Sequence, residues 1–161
     1  MSPIHESDED RRNEEDIIKS ILSVNRKGLS YKKLPMSYRI DYAITEGGGS
    51  FPNVIAFVEV KDKRAFKAYY ETVMCDVSKW QSMVLCSCAT GLPCWFAVRT
   101  PCWGVGVIKA RPAEGKYGVK HGGRTDRDDP TDREACLSLP IRDFRKPEGI
   151  FIEGAKQEEL L

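Results

Sequence analysis

The chain has 161 residues, 41% of them hydrophobic and 30% charged, which suits one globular domain and excludes a disordered chain. No apolar run approaches the roughly 20 residues that cross a bilayer, and the charged N-terminal stretch lacks a signal-peptide core, so we expect no membrane contact and a cytoplasmic location. A net charge of +1 neither announces nor excludes nucleic-acid binding, because acidic metal ligands and basic phosphate contacts cancel in the total.

Residues 1–10 read as a tail. Ile17, Ile18, Ile21 and Leu22 recur at helical spacing and predict a helix from Arg11 to Val24, ended by Lys27-Gly28. Ser37 to Thr45 alternates: Tyr38, Ile40, Tyr42 and Ile44 share one face and Asp41 lies on the other, the period of a strand. After the turn Glu46–Ser50, the apolar run Asn53 to Lys61 predicts a central strand covered on both faces. Ala65 to Cys88 reads as one long helix, with Phe66, Tyr70, Val73, Val77, Trp80, Val84 and Cys88 on a stripe. Cys94–Thr100 and Trp103–Ala110 predict two further strands, the second weakened by Gly104 and Gly106. A basic loop follows over 111–135, carrying Lys116, Lys120, His121, Arg124, Arg127 and Arg133. Cys136–Ile141 reads as an edge strand, since Pro140 cannot donate to a ladder. With a second tail at 154–161, one domain spans 11–153, an α/β layout with a mixed sheet between helices.

Polar residues sit where strands want apolar ones. Glu59 and Lys61 end the most hydrophobic strand, two residues apart and so on one face. If the preceding strand pairs through the Gly-rich turn, Asp41 comes near Glu59. Two converging carboxylates, with the Val60 carbonyl as a neutral oxygen, make a hard-oxygen site for Mg²⁺ or Mn²⁺. A cation there polarises a phosphate and activates water, and Lys61 beside it orients the water or stabilises developing charge. Glu14, three before Ile17 and four before Ile18, falls on the buried stripe of the first helix and can support the site, with Glu15 as the alternative. Gln81 falls within the stripe of the long helix, where a buried amide needs partners. Lys63, Arg64, Lys67, Arg99, Lys120 and Arg124 supply positive charge for a DNA backbone, and Lys79 lies further along.

On these residues the chain resembles the PD-(D/E)xK nuclease superfamily over roughly residues 11 to 110. Glu14 stands in the first helix, Asp41 in one strand, Glu59-Val60-Lys61 in the next and Gln81 in the following helix. The opening Asn13–Ile18 is similar to the first helix of archaeal Holliday-junction resolvases, and the Gln81 placement to RecB and lambda-exonuclease branches. The resemblance implies a restriction-endonuclease-like core (α-β-β-β-α-β), Asp41 and Glu59 as metal ligands, and Lys61 as the catalytic lysine. It implies an endonuclease acting on structured or branched DNA. The small size of the chain points to a homodimer or to a partner protein that delivers substrate. Two residues depart from the family pattern: Ile40 stands where a proline usually precedes the aspartate, and Leu85 stands four after Gln81 where a tyrosine is usual.

Two other readings stay open. The fold can serve as a non-catalytic DNA-binding or protein-interaction module. Cys86, Cys88, Cys94 and Cys102 can bind zinc or an iron–sulfur cluster, although their irregular spacing fits core packing better.

Overall fold

The computed structural model describes residues 7–123 and 133–152. Helix α1 spans Asp8–Ser23. Its start is set by a reciprocal cap, in which Ser7 Oγ accepts from Asp10 N at 3.1 Å and the Asp10 carboxylate accepts from Ser7 N at 3.3 Å. The cap carries the helix back past Arg11, into the stretch expected as a tail. The apolar stripe is as expected, with Ile17, Ile18 and Ile21 buried.

Strand β1, Leu29–Lys33, is absent from the sequence reading. The strand expected over Ser37–Thr45 is shorter. Met36–Tyr38 forms a 3-10 turn, Arg39 is left-handed at φ 56°, and β2 covers only Tyr42–Glu46. Strand β3 runs Asn53–Asp62, as the apolar run predicts. The long helix over Ala65–Cys88 is corrected. Its first half is turns followed by strand β4, Thr72–Asp76, and helix α2 occupies Val77–Thr90. The physical reason is alternation: Val73 and Cys75 are buried between more exposed neighbours, the pattern of a half-covered strand. Gly91, at φ 72°, closes α2. Strands β5 (Cys94–Thr100) and β6 (Gly104–Lys109) follow as expected.

The expected loop over 111–135 contains strand β7, Gly118–Gly123, and the start of β8, Arg133–Pro140. Arg124 and Arg127 lie outside the described residues. β8 is not an edge strand, because it pairs on both sides in a small antiparallel sheet ordered β4-β8-β7. Pro140 sits at the terminal pair of that ladder, opposite Thr72, where a missing N–H matters least.

The main sheet is ordered β1-β2-β3-β5-β6. β3 and β5 pair in parallel, and the other neighbours are antiparallel. α1 packs on one face, over Tyr42, Ile44, Val58, Val60, Trp95 and Ala97. α2 and the small sheet cover the other, over Phe57, Phe96, Val98 and Ile108. This is the expected α/β architecture, a mixed central sheet flanked by helices. Its core order α-β-β-β-α-β is completed by β1, with β4 inserted ahead of α2. A polar latch closes the α1 side. Asn25 Nδ2 donates to the carbonyls of Ile21 at 2.8 Å and Pro147 at 2.9 Å, and its Oδ1 accepts from Phe151 N at 3.1 Å.

Candidate active site

Asp41 stands just ahead of β2, where its carbonyl accepts from Leu34 N at 2.8 Å and ties it to the end of β1. The β2–β3 register sets Tyr42 opposite Val58, so Asp41 and Glu59 come together at the end of that pairing. Asp41 Oδ2 accepts from Val60 N at 2.9 Å, and Glu59 Oε2 accepts from Asp41 N at 3.2 Å. Each acidic residue is thus oriented by a backbone N–H of the other strand segment.

The remaining oxygens meet cations. Lys79 Nζ, in the first turn of α2, donates to Glu59 Oε1 at 2.7 Å. Lys33 Nζ, at the end of β1, donates to Asp41 Oδ1 at 3.3 Å and to Glu14 Oε2 at 3.1 Å. Glu14 therefore joins the site through Lys33. Glu59 is only 6% exposed, and burial, followed by the charge of Asp41, pushes its carboxyl up to about 7. Burial opposes the charge on Lys79, but Glu59 outweighs it and the ammonium is held above its ordinary value. Lys33 is likewise raised: burial opposes its charge, and Asp41 and Glu14 overcome that.

Lys61 shares the face of Glu59 by strand alternation and is exposed. Among the described residues it makes no hydrogen bond or ion pair, and its charge acts on Lys63. Gln81 is corrected. It is exposed, because α2 buries Trp80 and Met83 instead and the stripe extrapolated from residues 66–73 does not exist.

The basic residues divide. Arg99 is clamped on Asp62, with Nε to Oδ1 at 3.2 Å and Nη2 to Oδ2 at 3.0 Å. Arg64 reaches Asp62 and Asp10, both at 3.3 Å. Arg99 thus braces the end of the β3–β5 pair, and Arg64 ties that end to the start of α1. Lys63 is partly buried, and burial, then Lys61, pulls its ammonium down. Lys67 and Lys120 are exposed.

Sequence reasoning missed Lys33 and gave Lys79 a different role. A signal for Lys33 was present: Leu29, Tyr31 and Lys33 share one strand face, so a lysine continues an apolar row, the same anomaly that singled out Glu59. Among the described residues no three of the cysteines converge. Cys94 is buried in the core with its thiol pushed up by desolvation, whereas Cys88 and Cys102 are exposed. Among the described residues no group of three His, Cys, Asp or Glu side chains forms a metal cage. The Asp41–Glu59 pair nonetheless fits a hard divalent cation. Two fixed carboxylates repel one another in a largely buried setting, and each presents one oxygen that a flexible lysine now covers.

Comparison with known proteins gives a family. The model of a family described as "Phage putative PDDEXK endonuclease" matches residues 1–147. Among solved structures, Hjc from Archaeoglobus fulgidus, a Holliday junction resolvase from an archaeal hyperthermophile, is similar at 13% identity and a TM-score of 0.48, covering 83% of this chain and 85% of that one. No curated protein sequence matches.

Proposed function

This chain belongs to the phage PDDEXK endonuclease family, and on that footing we propose that it hydrolyses DNA phosphodiester bonds as a divalent-metal-dependent endonuclease acting on structured or branched DNA. The observation that supports this most is the interlocked pair Asp41 and Glu59 with Lys61 on the same strand face. In this reading Asp41 and Glu59 hold Mg²⁺ or Mn²⁺, with the Val60 carbonyl as a third oxygen. The cation, when bound, lowers the pKa of water and neutralises phosphate charge.

The chain's own residues do the rest. Backbone N–H groups fix both carboxylates, so the ligands need no reorganisation when the substrate arrives. Lys61, exposed and unpaired among the described residues, donates to the attacking water or the phosphate oxygen and offsets the charge that develops there. Exposed Lys67 and Lys120 meet the DNA backbone. The branched-substrate preference follows the likeness of Asn13–Ile18 to the first helix of archaeal resolvases. Cutting both strands of a junction needs two such centres, which a homodimer or a partner protein supplies.

The test is cleavage of supercoiled, linear and four-way-junction DNA with Mg²⁺. We expect junction DNA to be cut most readily, and Asp41→Ala, Glu59→Ala and Lys61→Ala each to slow cleavage by at least about a hundredfold. Undiminished cleavage by folded Glu59→Ala protein would refute the site.

A further inference from the structure

We propose that Lys33 and Lys79 are built-in counter-ions of the Asp41–Glu59 pair, covering the oxygens that a divalent cation takes and swinging away when it binds. The inference rests on reading those two carboxylates as the metal ligands.

The division of the four carboxylate oxygens carries the argument. Asp41 Oδ2 and Glu59 Oε2 take backbone N–H groups, whose positions the pairing of β2 and β3 sets. Among the described residues, Asp41 Oδ1 and Glu59 Oε1 take only ammonium groups. Those lysines reach in from different elements, Lys33 from β1 and Lys79 from α2. Their side chains keep 34% and 41% exposure, so each long stem can rotate its head into solvent, whereas Glu59 at 7% cannot follow. With both lysines seated, their positive charges offset those of Asp41 and Glu59. A divalent ion entering then gains little net attraction from the pair, and entering after the ammoniums withdraw it meets the full attraction of both carboxylates. Lys33 is held by Glu14 as well as Asp41, so it yields less readily than Lys79.

The arrangement also explains how the metal-free chain tolerates two adjacent acids in a buried setting. The lysines hold the pair in a ready geometry until the ion arrives.

The experiment is Mn²⁺ titration of the metal-free protein at pH 8 without DNA, following free Mn²⁺ by electron paramagnetic resonance. Lys79→Met should bind Mn²⁺ about tenfold more tightly than the parent chain, equivalent to roughly 1.4 kcal/mol of lost competition. Lys79→Arg, which keeps the charge, should stay close to the parent. Lys33→Met should tighten binding by a smaller factor. Equal or weaker Mn²⁺ binding by both methionine variants, each folded by circular dichroism, overturns the counter-ion role while leaving the metal reading intact. A parent chain with no saturable Mn²⁺ binding that Glu59→Gln removes overturns the metal reading and this inference with it.

Discussion

Glu59 concentrates the conflict that defines the site. A carboxylate 6% exposed and next to Asp41 is short of solvation, and Lys79 offsets only part of that shortage. Its folded pKa is raised from 4.5 to about 7, so the folded chain holds this proton more tightly than the unfolded chain does. Rising pH therefore removes stability from the metal-free protein between those two values. The melting temperature of chelator-treated protein should fall across that window, and Glu59→Gln should flatten the slope. Metal uptake runs the other way, because the ligand must be ionised. Mn²⁺ affinity should climb through the same interval, and a pH-independent affinity would show that Glu59 is not a ligand.

At the scale of elements, legibility followed amphipathic contrast. β3, β5 and β6 were readable because they are apolar runs bounded by turn residues, and α1 because its stripe is clean. β1 was not, since Leu29–Lys33 is a polar edge strand with little to distinguish it from a loop. β4 was hidden by coincidence. Phe66, Tyr70, Val73 and Val77 stand at helical spacing, yet Phe66 and Tyr70 pack against each other in a turn with rings 5.3 Å apart, and Val73 belongs to a strand. That error carried Gln81 into a core it does not enter. The carboxylates survived it, because two polar residues against the pattern of β3 and one at the start of β2 do not depend on where α2 begins. The glycines of β6 now have reasons. Gly104 adopts φ 73°, and a Cβ on Gly106 would stand 2.6 Å from the ring of Trp103. Gly106→Ala should cost about 1–3 kcal/mol in urea unfolding, because a ring packed between Phe66 and Phe144 has little room to retreat.

For the molecule as a whole, a sheet that buries both faces must be sealed on both. The α1 side is closed by the final described segment, where Ile150 and Phe151 are each 2% exposed and Asn25 ties the backbone down. Asn25→Ala removes three hydrogen bonds from this closure and should lower stability by about 2 kcal/mol, a loss of roughly 4–8 °C in melting temperature. An unchanged melting point would mean that the apolar contacts of Ile150 and Phe151 suffice. The same seal bears on how the protein can be trimmed. The family match stops at residue 147, ahead of both plugs. An expression boundary drawn there would uncork the layer beneath α1 and yield a chain that clumps and binds hydrophobic dyes, whereas a stop codon after Ile152 keeps both plugs in place.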